Sequence, residues 1–309
     1  MSFIPSFPPF SPEKFIPLAE CDLEKLRFAL LRSMEQSCEF ALANLYTWKD
    51  FCQTKVQFWQ DRLYIWFSQA DLMIFTVDRE KKNEPSAKEL FSVASAMKKT
   101  GRSGKFYQVR KDTLENDPAF PEFFRIEPGS EDTAEYIYEV EKLALLPGSV
   151  LSKKRNLIHQ FRRAHPEAKS VLLDRSNYSK AKALAEEWYA FHGEESHDLA
   201  GEKSALQNME GAFRYAGLTG VLVEEGDKVL AFAAAAPITE TIWTETLEKS
   251  LPQYKGAAQF ANNELAKLLQ GKCLLLNREQ DLGLPGLKQA KLSYLPEFLL
   301  RNFVLTPIE

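Results

Sequence analysis

The run Gln253-Tyr254-Lys255-Gly256-Ala257-Ala258 fits the pattern Q/R-x-x-G-x-G/A, after a predicted strand and at the opening of a predicted helix. Gly256, Ala257 and Ala258 are small enough for backbone N–H groups to approach a ligand closely. A helix N-terminus adds partial positive charge, so this loop suits a phosphate or pyrophosphate, although the same pattern also serves as plain helix capping. Further on, Asn277-Arg278-Glu279-Gln280-Asp281 places five consecutive hydrogen-bonding residues after a buried-type strand, where clefts open in sheet proteins. A substrate site fits them, and so does a structural network of Arg278 with Glu279 or Asp281. Gly283, Pro285 and Gly286 then set a turn that aims a helix carrying Lys288, Lys291 and Tyr294. At intervals of three these share one face, as a site or as a solvated lysine face.

Two more groups invite a reading. Lys153-Lys154-Arg155-Asn156, with His159, Arg162 and Arg163, is a basic stretch without an acid. On a helix it puts Leu157, Ile158 and Phe161 on one side and Arg155, His159 and Arg162 on another, a stripe for tRNA or lipid phosphates. It carries no interleaved aromatics for base stacking, and a surface helix balanced by acids elsewhere is the alternative. His192 and His197 flank Glu194 and Glu195, a spacing that matches neither H-E-x-x-H nor H-x-x-E-H, so no metal site is expected.

The chain that must position these groups has 309 residues, too many for one ordinary compact core, so two domains are expected, over 1–135 and 136–309. Hydrophobic residues at 45% and charged residues at 27% exclude a disordered chain. The formal charge of -4 gives no global attraction to nucleic acid or anionic membrane, so a polyanion has to be met by a local basic patch. Cys21, Cys38, Cys52 and Cys273 form no C-x-x-C pair, which suits a reducing compartment. Prolines interrupt the stretch 1–15, which does not read as a signal peptide, and no apolar run is long enough to span a bilayer. A cytoplasmic location is expected.

In the first half the pattern predicts a strand over 14–18, an Asp22-capped helix, a hairpin of 62–67 with 71–77, a helix over 86–99 and a strand over 105–109. The Pro- and acid-rich stretch 117–129 reads as a connection. The second half predicts a strand over 170–173, a helix capped by Ser179, a helix over 202–216, and strands over 220–223 and 228–237 around Gly226-Asp227. A strand over 241–247, a loop over 248–256, a helix over 257–269, a strand over 272–276 and a last strand over 303–305 complete it. The order is α+β, and both halves can be written with roughly the same order.

This order and the loop at 253–258 give the second half a resemblance to the GNAT acyltransferase fold. Three longer segments narrow it: EKLALLPGSVLSKKRNLIHQF from Glu141, TLEKSLPQYKGAAQF from Thr246 and NREQDLGLPGLKQAKLSYLP from Asn277. They resemble an uncharacterised bacterial family related to the C-terminal domain of phosphatidylglycerol lysyltransferase and akin to the Fem aminoacyltransferases. Leu247 and Ser250 depart from the Phe and Ala expected around the central Glu248-Lys249 pair, without replacing a functional group.

The resemblance implies two tandem GNAT-like repeats, each a mixed, mostly antiparallel sheet flanked by helices, with the cleft in or near the second. The first repeat has no glycine in its counterpart loop, 78–85, and reads as scaffold and acceptor wall. The implied reaction is attack of an amine or hydroxyl on a donor thioester or ester, which needs a base, donors for the oxyanion and a cation for donor phosphates. Glu245 and Glu248 are candidate bases. Alternation puts Glu245 with Leu247 on one face and Glu248 on the other, so the two are not expected to share a cleft. Glu248, next to the loop, is preferred. Lys291 is the candidate donor-side cation and Tyr294 the group that protonates the leaving group. Lys249, Asn277, Arg278, Glu279, Asp281, Lys288, Arg155 and Asn156 are expected to contact substrate, and His192 and His197 to border the acceptor. No tightly bound cofactor is implied. Acyl-coenzyme A and aminoacyl-tRNA both stand as co-substrates, with a small-molecule or lipid-like acceptor. A non-catalytic protein on a degenerate fold is the rival reading.

Overall fold

The computed structural model describes residues 8–192 and 199–309. In chain order its first elements are strand β1 (Ile16–Pro17), helices α1 (Leu23–Leu31) and α2 (Leu42–Thr47), and strands β2 (Thr54–Trp59), β3 (Arg62–Phe67) and β4 (Leu72–Phe75). Helix α3 (Ala87–Lys99), β5 (Lys105–Val109), α4 (Lys111–Asn116), α5 (Phe120–Phe123) and β6 (Phe124–Pro128) follow. Then come β7 (Glu135–Glu139), α6 (Val140–Leu145), α7 (Ser152–Ala164), β8 (Lys169–Leu173), α8 (Tyr178–His192) and α9 (Leu199–Tyr215). The rest is β9 (Thr219–Glu225), β10 (Lys228–Pro237), β11 (Ile242–Ser250), α10 (Ala257–Leu269), β12 (Leu275–Gln280), α11 (Pro285–Leu292), β13 (Phe298–Leu300) and β14 (Phe303–Pro307).

Among the described residues the strands form two seven-stranded sheets, ordered β1-β2-β3-β4-β5-β14-β6 and β13-β7-β12-β11-β10-β9-β8. Each is antiparallel except at one internal pair, β4 with β5 and β11 with β12. In each, the parallel strand follows a helix that crosses back over the sheet, α3 in the first and α10 in the second. This is the α+β order the sequence implies, present twice.

Local chemistry accounts for the element ends. Asp22 caps α1 by accepting from the amides of Glu24 and Lys25, both at 3.0 Å. Ser86 caps α3 through the amide of Glu89 at 3.2 Å. Gly226, at φ +59, turns β9 into β10 with Glu225 paired to Lys228. Behind the second sheet the core gathers Tyr138, Phe161, Val223, Leu265 and Leu276, with Phe161 and Phe260 at 5.1 Å between ring centroids.

Other elements depart from the sequence expectation. The strand over 14–18 shrinks to two residues because Pro17 has no amide to donate. The expected connection 117–129 holds α5 and β6, and β6 pairs with β14. The strand expected from 272 starts at Leu275, because the amides of Lys272 and Cys273 still bond the Leu269 carbonyl at the end of α10. Strand β11 runs on to Ser250, shortening the loop.

The chain forms two compact units, Met1–Glu35 with Lys49–Ser130 and Arg301–Glu309, and Gln36–Trp48 with Glu131–Leu300. One cut after residue 135 describes this only in part, since 36–48 and 301–309 each belong with the other half of the chain. In the second unit a buried carboxylate explains the first exchange. Glu135 accepts from Ser37 Oγ at 2.5 Å, from the Cys38 amide at 2.8 Å and from Asn277 Nδ2. Asn277 Nδ2 also reaches the Gln36 carbonyl at 3.0 Å. Asn208 donates to the Thr47 carbonyl at 3.0 Å, and a Cβ on Gly211 would lie 2.2 Å from the Tyr46 ring, so glycine is needed where α2 meets α9. Glu135→Ala leaves the Ser37 hydroxyl and the Cys38 amide without their acceptor and Asn277 with only the Gln36 carbonyl, and is expected to cost roughly 2–4 kcal/mol in urea unfolding, with faster amide exchange at Cys38 than in α10. An unchanged midpoint with unchanged exchange at Cys38 would contradict this anchoring.

Candidate active site

Strand β11 carries one residue more than its neighbour. Ala235 pairs with Glu245 and Ala234 with Leu247, which leaves Thr246 as a bulge. A bulge resets the alternation of side chains, so Glu245 and Glu248 come to the same face. This overturns the expectation that the two carboxylates lie on opposite faces: both bond Arg278. The second irregularity is in β12, whose pairing with β7 slips between Asn277 and Gln280, with Glu279 at φ +59. The parallel ladder between β11 and β12 covers Ile242–Leu275, Trp243–Leu276 and Thr244–Asn277 and goes no further. Beyond it both strands continue without pairing to each other.

Arg278 lies where they part. Its Nε donates to Glu245 Oε2 and its Nη2 donates to Glu248 Oε2 at 2.5 Å. Asn262 of α10 holds Glu245 from the other side, with Nδ2 at 3.0 and 3.1 Å from the two carboxylate oxygens. The guanidinium carbon is 5.8 Å from the Tyr138 ring centroid and 5.0 Å from that of Tyr294. Nη1 has no hydrogen-bond partner among the described residues. Burial opposes the charge on Arg278, but Glu245 and Glu248 outweigh it and hold the group above its ordinary range. Burial pushes the Glu245 carboxyl up, against the pull of Arg278. The Glu248 side chain is 25% exposed, against 3% for Glu245, so Glu248 is the carboxylate that meets solvent.

Two lysines complete the surroundings. Lys154 of α7 lies over the Tyr294 ring, Nζ 4.0 Å from its centroid. Burial and then Arg278 lower its pKa. Lys291 is buried and donates to the carbonyls of Arg278 and Gln280, both at 2.5 Å. Its pKa is likewise lowered, first by burial and then by Arg278. It thus braces the bulge of β12, and both of these bonds go to the protein's own backbone. Burial raises the Tyr294 phenol, which therefore keeps its proton and serves better as a hydrogen-bond donor than as an acid.

The other expected residues take varied places. Glu279 accepts from Asn44 at 2.7 Å and from Thr244 at 3.1 Å. Asp281 accepts from the Tyr136 hydroxyl and, at 2.9 Å, from the Gly283 amide, so it secures the turn before α11. Lys288 is 3.9 Å from Glu131. Arg155 donates to the carbonyls of Leu146 and of Gly148, the latter at 2.7 Å, so it caps the α6 end and leaves the exposed stripe. Asn156 stays exposed on α7. On the opposite face of β11, Lys249 packs 4.1 Å from the Trp188 ring centroid and 3.1 Å from Glu202. Glu194, Glu195 and His197 lie outside the described residues, as does the side chain of His192.

The loop at 253–258 is built otherwise than expected. Gly256 has φ +88, and a Cβ there would come within 2.4 Å of the Leu157 carbonyl of α7. On the Cβ side of Gly256 the close approach that glycine permits is made by the protein's own backbone. Ala257 is buried with it, Ala258 is half-buried and Gln253 is exposed on the loop. The structure therefore gathers Glu248, Arg278, Lys291 and Tyr294, and leaves Gln253, Lys249, Lys288, Arg155 and Asn156 outside that cluster. Asn262 and Tyr138 join it without having been singled out, and Lys154 joins it from the basic stretch. An asparagine on the apolar face of α10 was the available signal for Asn262, since a buried amide needs a partner.

A three-strand meander, a crossing helix and a strand that runs parallel to the meander and then parts from it define a GNAT-like fold, here in two tandem copies. The family model described as phosphatidylglycerol lysyltransferase, C-terminal, matches residues 31–306, and the chain belongs to that family. Among solved structures, a conserved protein of unknown function from Bacteroides thetaiotaomicron is similar at 24% identity and TM-score 0.88, over 97% of this chain and 100% of that one. L-PGS from Bacillus licheniformis is similar at 14% identity and TM-score 0.62, over 92% and 91%. FemX is similar at 8% identity and TM-score 0.58, over 93% and 96%. These share the fold. An uncharacterised protein of Mycoplasmoides gallisepticum is 22% identical over 191 residues, 58% of this chain, and the match spans 58% of that protein's length. Among the described residues no helix is long and apolar enough to cross a membrane.

Two outcomes test this geometry. Burial holds Glu279 up at about 7, against about 4.3 for a free glutamate. The folded chain then binds this proton more tightly than the unfolded chain, so stability falls as pH rises from about 4.5 through 7. Glu279→Gln keeps an acceptor for Asn44 and Thr244 and should flatten that fall in urea unfolding between pH 5 and 8; an equal slope would refute the assignment. Gly256→Ala should cost roughly 1–3 kcal/mol, because it is strained at positive φ and meets the Leu157 carbonyl. A wild-type urea midpoint would show that α7 does not press on the loop.

Proposed function

We propose that the second unit transfers an aminoacyl group from an aminoacyl-tRNA ester to an amine or hydroxyl acceptor, at the point where β11 and β12 part. The observation that carries this reading is the Arg278 guanidinium shared by Glu245 and Glu248 at that point, with Nη1 left for a ligand. In the proposed chemistry Glu248 takes the proton of the attacking acceptor as the new bond to the carbonyl carbon forms. Arg278 and the Tyr294 hydroxyl donate to the oxygen on which negative charge develops. The ester bond to the tRNA ribose then breaks, and its oxygen receives the proton that Glu248 took up, which returns Glu248 to its carboxylate form. Lys291 acts as a positioning residue, holding the carbonyls that aim Arg278.

The donor class follows from two considerations. The family's description names lysyl transfer, which favours an aminoacyl donor. The Leu157 carbonyl on the Cβ side of Gly256 accounts for the glycine by helix packing, so the loop pattern gives no separate support to an acyl-coenzyme A donor. Phosphatidylglycerol is the acceptor that the description suggests, and a soluble amine is the alternative.

The test incubates the purified chain with radiolabelled lysyl-tRNA and alanyl-tRNA, offering phosphatidylglycerol vesicles or a panel of free amines, with acetyl-coenzyme A titrated calorimetrically in parallel. Consumption of aminoacyl-tRNA with label appearing in an acceptor is expected, and Glu248→Gln should lower kcat by about 10²–10⁴-fold with little change in KM. Binding of acetyl-coenzyme A without any consumption of aminoacyl-tRNA would overturn the donor assignment. Binding of a ligand without turnover of any donor would favour the non-catalytic reading.

A further inference from the structure

The lysines of the second unit differ in what holds their amines. Lys291 donates to two backbone carbonyls, Lys249 pairs with Glu202, and Lys142, Lys180 and Lys267 pair with acids at the surface. Lys154 is held otherwise. Its Nζ lies 4.0 Å from the centroid of the Tyr294 ring and has neither a hydrogen bond nor an ion pair among the described residues. The Arg278 guanidinium carbon lies 5.0 Å from the same centroid, and Arg278 is bonded to Glu248. An unengaged primary amine is therefore placed beside the base and the oxyanion donors assigned above. Two features show that this amine is not there to stabilise the helix. Lys154 is the third residue of α7, whose first turn holds no acid, and positive charge there opposes the helix dipole. The side chain is also half-buried, and burial and then Arg278 lower its pKa, against a smaller opposing pull from Glu248. The neutral amine, which is the nucleophilic form, is easier to reach here than on an exposed lysine.

We infer that Lys154 is a self-acylation site, whose Nζ attacks the aminoacyl ester held at the Arg278 cluster when no other acceptor competes. The inference rests on the transfer reading above and adds to it a second fate for the aminoacyl group. The atoms balance without a further reactant. The bond from Nζ to the carbonyl carbon forms and the ester bond to the ribose oxygen breaks. Glu248 takes one proton from the attacking nitrogen and passes it to that oxygen, so an amide and a free tRNA result. Lys154 is a tethered amine and competes at a high effective concentration with any soluble acceptor. Lys291 is a poorer nucleophile, because its hydrogens are committed to the carbonyls of Arg278 and Gln280. Lys249 lies on the opposite face of β11 and is paired with Glu202. The amide formed at Lys154 is neutral and is not reopened by the chemistry that opens an ester, so the reaction ends after one equivalent.

The experiment incubates the full chain with lysyl-tRNA and no acceptor, and reads intact mass and peptide fragments. A gain of one lysyl residue per chain is expected, mapped to Lys154 and stable to hydroxylamine, which cleaves esters and spares amides. Lys154→Arg keeps the positive charge and should carry about tenfold less label or lower. Label spread over several lysines, or equal label in Lys154→Arg, marks unspecific acylation by the ester and overturns the site. Transfer to an acceptor in the earlier assay with Lys154 unmodified in this one also overturns the site, and it leaves the transfer reading intact. Label in neither an acceptor nor Lys154 overturns both. A second measurement needs no tRNA: trace labelling of the folded chain with acetic anhydride across a pH series, read peptide by peptide. The Lys154 rate should level off below about pH 10.4, the ordinary lysine value. A plateau at or above that value shows an amine not poised as a nucleophile and overturns the proposal.

Discussion

The second unit is organised around one buried guanidinium between two carboxylates. Arg278 could not be placed so deeply without them, because the cost of removing a charge from water is offset only by close, well-aligned partners. Glu245 and Glu248 in turn could not face each other across regular strands. The arrangement exists because β11 carries an extra residue at Thr246 and β12 slips at Glu279. Two local departures from regular pairing thus produce one shared ion-paired cluster. Asn262, Tyr138 and Tyr294 close the space around it, and Lys154 and Lys291 bring further positive charge to a group of carboxylates that would otherwise outnumber its cation.

The same departures dictate what surrounds the cluster. A bulge leaves backbone carbonyls without ladder partners, and the carbonyls of Arg278 and Gln280 are taken up by the Lys291 ammonium. That explains an unusual property of α11, which buries a lysine while Leu287 and Leu292 are exposed. Glu279, forced to positive φ, is satisfied by Asn44 of the exchanged segment 36–48. Asn277, its neighbour, ties that segment to Glu135. Strand splay, buried charge and the exchange of an early segment into the second unit are therefore one connected solution to where polar groups go when a sheet is opened.

Much of this organisation was legible in the residues. The hairpin around Gly226-Asp227, the helix over 257–269 and the α+β order follow from turn chemistry and periodicity, which are local. The run Asn277–Asp281 announced itself by polarity after an apolar strand. What local rules could not supply was register. Simple alternation separated Glu245 from Glu248, and only a bulge, which has no residue-type signature at Thr246, reunites them. Gly256 misled for a related reason: a glycine before a helix marks close backbone approach but not which backbone or ligand approaches, and here α7 does. Arg155 likewise lay on the charged face by helical spacing, yet the carbonyls of Leu146 and Gly148 at the end of α6 draw it inward.

The central claim is that Glu248 and Arg278 act as one unit across the parted strands. A double-mutant cycle measures this directly, using urea unfolding of the wild type, Glu248→Gln, Arg278→Gln and the double variant. A coupling of about 0.5–3 kcal/mol is predicted, the range for residues that share one ion-pair network. Additive effects within about 0.3 kcal/mol would mean that the two side chains do not meet in solution and would contradict the account.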